Sequence, residues 1–302
     1  MSKQNEERTM PTIGFIGLGI MGKGMVRNIA KAGFPVIAYD RHQERIEAVL
    51  GDGIRAGESV ADAAANSDVV ITMLPDGPNV SEVITARGGI LDSIRSGAVV
   101  IDMSSINPLI SKQMAELIET RGAIFLDAPV SGGEPKAIDG TLAVMVGGDR
   151  PTFENVLPIL QTMASTVTHT GEVGSGNVTK LANQIMVACN IAAMSEAFVL
   201  AERCGVSPDV VFGAVRAGLA GSNVLNAKAP MIVEQNFKPG FRIRLHQKDL
   251  RNAMATAESM KVALPLTSMV HQMLIASMNR GDGELDHSAL MRLVESMSPA
   301  HA

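Results

Sequence analysis

The sequence predicts an α/β domain built on a doubly wound, mostly parallel sheet, followed by an all-helical domain. Three features carry that expectation. Short Val/Ile-rich runs bounded by Gly, Pro, Asp or Ser alternate with helix-period stretches through the first half of the chain. The first of these runs leads directly into a glycine-rich turn and then a helical pattern. After Gly171 the strand-like runs stop and only helical patterns remain.

Taken in order, strands are expected at 12–16, 35–39, 68–74, 98–102, 123–127, 142–146 and 166–169. Helical patterns at 21–32, 107–120 and 151–163 fall between them, the alternation that covers both faces of a parallel sheet. GEVGSG, from Gly171, is a turn cluster, and one long helical pattern then runs from Asn177 to Cys204 and stops at Gly205. Ser207 reads as the cap of the next helix, with Pro208 in its first turn. Further helices are expected at 222–233, 246–260, 265–279 and 287–296. The expected division is a polar, disordered tail over 1–10, a nucleotide-binding α/β domain over 11–172 and a helical domain over 173–302.

Length and composition agree with this division. A chain of 302 residues carries a prior of roughly two domains of about 150 residues each. With 46% hydrophobic and 19% charged residues it can bury a core. A net charge of -5 argues against nucleic-acid binding, which needs surplus Lys and Arg, and 8 Phe with 1 Tyr are too few for base-stacking platforms. The 19 Met take the place of aromatics as core fillers or subunit contacts. Cys189 and Cys204 form neither a CxxC pair nor a metal cluster, so a reducing cytoplasm is the expected location. The polar first ten residues do not resemble a signal peptide, and no run reaches the 18 or so consecutive apolar residues of a membrane span, so a soluble protein is expected.

The first strand ends in Gly17-Leu18-Gly19-Ile20-Met21-Gly22. GxGxxG alone is a weak signal, but here a strand precedes it, a helix follows, and Asp40 closes the second strand 23 positions beyond Gly17. Gly17 permits the tight turn, Gly19 leaves room for a pyrophosphate, and Gly22 lets helix and strand pack closely. The pyrophosphate would meet the N–H groups at the helix start, as in a Rossmann-type fold. Asp40 suits the ribose hydroxyls of NAD and would repel a 2′-phosphate, whereas Arg41 beside it would pair with that phosphate. NAD(H) is therefore favoured, with NADP(H) left open. The same loop spells the first seven positions of a P-loop through Lys23, but the eighth is Gly24 where a Mg²⁺-binding Ser or Thr is needed. A nucleotide triphosphatase would also leave Gly19 and Asp40 unexplained.

At this point the chain resembles the β-hydroxyacid dehydrogenase family. The resemblance runs through GFIGLGIMGKGM, DAPVSGGEPKAIDGTLAVMVGG, GSGNVTKLANQ and FKPGFRIRLHQKDL, four separated motifs in the family's order that cover nearly everything after residue 10. Within the family, GEPKAIDGTL and the run from Gly218 to Ser222 point to the branch that reduces tartronate semialdehyde to glycerate. The resemblance implies that Lys180 is the catalytic acid and base, and that Ser131, Gly132 and Gly133 receive the substrate carboxylate. It implies that Asn183 orients the substrate and that Lys248 lies near both nicotinamide and substrate. Leu74, Pro75, Asn79 and Ser105 match cofactor-contacting positions. Gln184 stands where many relatives have a second Asn.

Physical sense supports part of this. On a helix, positions 180, 183, 184 and 187 share one face, so Lys180 projects with two amides. Lys248-Asp249 alone would read as an exposed ion pair, SGG as an ordinary loop, and His246 as a surface or capping residue. The six His show no metal-ligand spacing and no Ser sits in a GxSxG elbow, so no metal and no hydrolase are expected. The expected partners are a small β-oxo or β-hydroxy acid and further copies of the chain, as a dimer or tetramer, with no nucleic acid or membrane. Two alternatives stay open: a sister dehydrogenase acting on 3-hydroxyisobutyrate or a sugar acid, and a nucleotide-binding protein without catalysis.

Overall fold

The computed structural model describes residues 10–51 and 53–298; the expected disordered tail, Met10 apart, lies outside them. The chain forms two compact units, the first ending at Lys180 and the second beginning at Leu181.

In the first unit the elements follow as β1 (Ile13–Ile16), α1 (Ile20–Lys31), β2 (Val36–Tyr39), α2 (Gln43–Glu47), β3 (Ile54–Ala56), α3 (Val60–Ala65) and β4 (Val69–Thr72). Next come α4 (Gly77–Thr85), α5 (Ile90–Ser93), β5 (Val99–Asp102), α6 (Pro108–Glu119), β6 (Ile124–Asp127) and β7 (Val130–Ser131). The unit closes with α7 (Gly133–Asp139), β8 (Leu142–Gly147), α8 (Arg150–Leu160), β9 (Ala164–Gly171) and the start of α9 (Ser175–Arg203). One sheet runs β3-β2-β1-β4-β5-β6-β8-β7, with β9 on β8. Strands β1 to β6 are parallel to one another, β8 is antiparallel to β6 and β7, and β9 is parallel to β8.

The sheet is Rossmann-like because its strands are apolar on both sides. Ile13, Phe15, Ile71 and Leu126 fill one core, and Ile16, Val70, Val100 and Phe125 fill another, following the period-two alternation of side chains. Strand order reverses direction between β1 and β4, the point where open α/β sheets bind ligands. The registers Ile16↔Tyr39, Ile16↔Thr72, Thr72↔Asp102 and Asp102↔Asp127 bring the carboxyl ends of five strands level. The seven expected strands are all present. Sequence reading missed β3, with only Ile54 buried, and the two-residue β7, because such short runs show no alternation.

The second unit contains the rest of α9, then α10 (Pro208–Val215), α11 (Asn223–Val233), α12 (Ile243–Ser259), α13 (Pro265–Asn279) and α14 (Leu290–Met297). Its core holds Ile191, Phe198, Ile232, Leu250, Leu274 and Met291. Helix α9 is long and apolar enough to cross a membrane by length and composition, yet it supplies Ala188, Ile191, Met194 and Phe198 to this core. Ser222 caps α11 by accepting the Leu225 N–H. Ser207 occupies the cap position of α10 but makes no capping bond; its hydroxyl serves the Asp209 carboxylate instead.

Candidate active-site residues

The glycine loop joins β1 to α1, and each glycine has its own reason. Gly17 has φ +103°, and a Cβ there would meet the Met73 carbonyl and lie 3.1 Å from Leu74 Cδ2, so the loop abuts the end of β4. At Gly22 a Cβ would strike the Gly17 carbonyl. Gly19 differs: beyond its own chain neighbours no atom lies within 4 Å of a Cβ placed there, so the loop is open on that side. Gly19 is also the N-cap of α1; it offers no capping side chain, and the first turn carries no acidic residue. That leaves the positive end of a 12-residue helix facing the opening. The residues present therefore fit a dinucleotide pyrophosphate. Packing holds position 24 to glycine, because a Cβ there would sit 2.6 Å from the Ala137 carbonyl of α7, which leaves no room for the Ser or Thr that a P-loop carries at this position.

Leu18 is a core side chain whose N–H binds Asp40 Oδ2 at 2.8 Å. The other Asp40 oxygen accepts the His42 N–H at 3.0 Å, and the Arg45 guanidinium lies 3.5 Å away. Asp40 thus ties the end of β2 to the glycine loop and keeps lone pairs for further donors. Arg41 is exposed, with Nε 3.3 Å from His42 Nε2. A cavity of about 260 Å³ beside the loop is lined by Gly19, Ile20, Lys23, Arg27, Arg45 and Glu134, among others.

At the ends of β4 and β5, sequence reading singled out Leu74, Pro75, Asn79 and Ser105. Leu74 donates its N–H to Ser104 Oγ at 2.9 Å, and Asn79 sits in the first turn of α4, donating its N–H to the Asp76 cap. The residues that shape this edge are Ser104 and Asp102, which the sequence reading passed over. Asp102 Oδ1 accepts the Thr72 hydroxyl at 2.8 Å and the Ser104 N–H at 3.2 Å. Complete burial pushes the Asp102 carboxyl up to about 6, against the pull of those bonds.

Ser131 ends β7, and Gly132 and Gly133 follow with φ +138° and +71°, a pair of conformations that glycine adopts without strain. Helix α7 then packs on α1 at Gly24, and Asn28 Nδ2 donates to the Ala137 carbonyl at 2.9 Å.

The first turn of α9 is bolted to the strand ends. Asp127 accepts the Gly174 and Asn177 N–H groups, each at 2.7 Å. Asn177 Oδ1 accepts the Ile106 N–H at 2.9 Å, and its Nδ2 donates to Ser111 Oγ at 3.1 Å. At Gly176 a Cβ would lie 2.7 Å from the Asp127 carbonyl, so only glycine allows so close an approach. Burial pushes Asp127 up to about 6 while the two N–H groups hold it down. Lys180 follows three residues after Asn177 and is 5% exposed, not a solvated surface charge.

In the second unit, Asn183 Nδ2 donates to Gln184 Oε1 at 2.9 Å, and Gln184 Nε2 donates to Asp249 Oδ2 at 2.6 Å. Lys248 Nζ is 3.1 Å from the other Asp249 oxygen. Lys248 and Asp249 are a largely buried pair, not an exposed one, because α12 turns this face onto α9. His246 is likewise buried, donating Nε2–H to the Gln184 carbonyl at 3.0 Å with its Nδ1 2.9 Å from His287 Nδ1. Among the described residues no group of three metal-ligating side chains occurs.

Residues 12–171 match the model of the NAD binding domain of 6-phosphogluconate dehydrogenase, and residues 174–294 match that described as NAD-binding of NADP-dependent 3-hydroxyisobutyrate dehydrogenase. The 2-hydroxy-3-oxopropionate reductase of Escherichia coli (strain K12) is 39% identical over 290 residues, 95% of this chain and 98% of its own. The 2-(hydroxymethyl)glutarate dehydrogenase of Eubacterium barkeri is 36% identical over 95% of each chain. The structure of Mycobacterium tuberculosis 3-hydroxyisobutyrate dehydrogenase with L-serine matches at TM-score 0.89 and 33% identity, covering 96% of this chain and 100% of that one. With relatives matched almost from end to end, and a glycine loop shaped for a dinucleotide, the chain belongs to the β-hydroxyacid dehydrogenase family, that of 3-hydroxyisobutyrate dehydrogenase.

Proposed function

We propose that the protein is an NAD(P)H-dependent reductase that converts tartronate semialdehyde reversibly to D-glycerate, with Lys180 as proton donor and acceptor. The observation that carries this reading is a buried lysine on a helix whose first turn Asp127 and Asn177 anchor to the carboxyl ends of β5 and β6. The substrate assignment rests on the E. coli relative and on the GEPKAIDGTL segment.

Gly17 to Gly22 would hold the pyrophosphate and Asp40 the adenosine ribose, with Leu74, Pro75, Asn79 and Ser105 along the strand ends. Arg41 and Arg45 beside Asp40 offset its charge, which supports NADP(H) as a second cofactor behind NAD(H). Bound nicotinamide supplies the hydride to the carbonyl carbon. As negative charge grows on the oxygen, Lys180 gives it a proton; in the oxidative direction Lys180 takes the hydroxyl proton. The successive left-handed conformations at Gly132 and Gly133, after Ser131, suit backbone N–H groups to a carboxylate. Asn183 and Lys248 would orient the same substrate.

The test is Lys180→Ala. Turnover should fall by at least about a hundredfold, the usual scale of a lost general acid, with NADH affinity retained. Activity that survives the substitution overturns the role. The E. barkeri and M. tuberculosis relatives favour a second reading, a sister β-hydroxy acid as substrate. Comparing kcat/KM over a panel of semialdehydes with both cofactors separates the two, since a site that bonds a substrate hydroxyl rejects the deoxy analogue strongly.

The exposed Met186, Leu200, Leu266, Met269 and Met297 of the second unit support a homo-oligomer, checked by sedimentation of wild type against Leu200→Glu. The free thiols of Cys189 and Cys204 support a reducing, cytoplasmic location.

A further inference from the structure

Asp249 sits at the junction of two residues that the family resemblance assigns to the substrate. It is 1% exposed, and its two oxygens face different groups, Gln184 Nε2 at 2.6 Å and Lys248 Nζ at 3.1 Å. A carboxylate only accepts hydrogen bonds, so the Gln184 amide has to turn its NH₂ toward Asp249. Its Oε1 is then directed at Asn183, where only a donor is compatible, and Asn183 meets it with Nδ2 at 2.9 Å. The Asn183 amide is thereby fixed with Oδ1 and one N–H on its remaining edge. That edge suits a group that both donates and accepts, which is the chemistry of a hydroxyl.

We propose that Asp249 is a positioning residue for substrate recognition: through Gln184 it sets the orientation of the Asn183 amide, and directly it sets the Lys248 ammonium. The His246 N–H on the Gln184 carbonyl holds the backbone of the same residue, so main chain and side chain of Gln184 are both restrained from α12. An Asn at position 184 would be one methylene shorter, so this chain's Gln supplies the reach to Asp249. The inference rests on Asn183 acting on substrate, as in the proposed function, and the test separates the two.

The variants are Asp249→Asn, Gln184→Met and the double variant. Asparagine at 249 presents an NH₂ to either Gln184 or Lys248, and methionine at 184 fills similar space without donor or acceptor. The proposal expects KM for the hydroxy acid to rise at least tenfold in each single variant, with NADH affinity within twofold of wild type. Preference for the hydroxy acid over its deoxy analogue should fall by the same factor. The double variant should be no worse than the poorer single one, because both changes break one chain of bonds.

A readout independent of turnover is the side-chain amide resonance of Asn183, assigned by its loss in Asn183→Asp. Slow exchange of those protons in wild type, made fast by Asp249→Asn, supports the positioning role even if wild type reduces no β-oxo acid; that last result would sink the functional reading alone. Unchanged exchange and an unchanged hydroxy-to-deoxy ratio, with only a lower Tm, would overturn the proposal, as would single effects that multiply in the double variant.

Discussion

The Asp127 carboxylate and the Asn177 backbone meet at 2.7 Å, and through that bond the end of β6 holds the start of the helix that carries Lys180. Asp127 Oδ1 takes the Gly174 N–H at the same distance, so one side chain satisfies two donors that a helix start otherwise leaves without intrahelical partners. Replacing Asp127 by Ala leaves both N–H groups buried without this acceptor. A loss of about 3 kcal/mol in stability is expected, from two charge-assisted bonds partly offset by the removal of a buried charge. Urea unfolding measures it, with the m value unchanged if the denatured state is unaffected. A loss below about 1 kcal/mol would show that the anchoring is incidental.

Asp102 and Asp127, paired in register, give the first unit an unusual pH response. Burial holds each carboxyl near 6, above its ordinary value of 3.8. The folded state therefore binds protons more tightly than the unfolded state between those values. The stability contributed is fully present below about pH 4 and is lost as pH rises through about 6, worth about 3 kcal/mol for a lone group with that shift. Among the described residues no donor reaches Asp102 Oδ2, so the charged form gains nothing at that oxygen. Asp102→Asn keeps an acceptor for Thr72 and Ser104 and removes the charge. Relative to wild type it should be more stable by about 1–3 kcal/mol at pH 7.5 than at pH 4.5, measured by urea unfolding at both. An equal difference at the two pH values would count against the buried-charge account.

Asp286 responds with the opposite sign. Burial would raise its carboxyl, but His287 and the Lys228 ammonium, 3.0 Å from both oxygens, outweigh that and hold it below the ordinary value. It also accepts the Gly240, Phe241 and Ser288 N–H groups, each at 3.0 Å. Its stabilisation is present above the unfolded value of 3.8 and is lost as pH falls through the folded one. Asp286→Ala leaves Lys228 without its carboxylate, an outcome that typically costs about 3–5 kcal/mol. Thermal unfolding of the second unit at pH 7 checks this, and a Tm shift of a degree or less would refute it.

How much of this was legible in the sequence depended on the range of the interaction. The glycine loop, the seven longer strands and α9 announce themselves through spacing within a few residues, where alternation and helix period act. Asp40 was legible because its distance from Gly17 is set by one βαβ unit. Asp102, Asp127, Asn177 and Asp249 were not, because each acts on a partner at least 30 residues away or on a neighbouring strand end, and an isolated aspartate after a Val/Ile run reads as turn punctuation. Lys248-Asp249 and His246 looked like surface residues for the same reason. Their burial follows from packing of α12 against α9, about 60 residues apart in the chain.

Gly19 separates cofactor geometry from fold stability more cleanly than its neighbours. At Gly17 and Gly22 an added methyl strikes backbone carbonyls, so alanine there disturbs the strand–helix turn and any loss of binding is ambiguous. At Gly19 the backbone has φ -67°, which any L-residue adopts, and the methyl enters open space. Gly19→Ala should unfold within about 1 kcal/mol of wild type, the scale of replacing a glycine N-cap by alanine. The same methyl would stand where a pyrophosphate has to approach the α1 N-terminus, so NADH affinity should fall at least tenfold. Fluorescence titration of NADH, run beside thermal unfolding of the free protein, measures both. Wild-type affinity in a folded Gly19→Ala protein would mean that the dinucleotide binds elsewhere than over this loop.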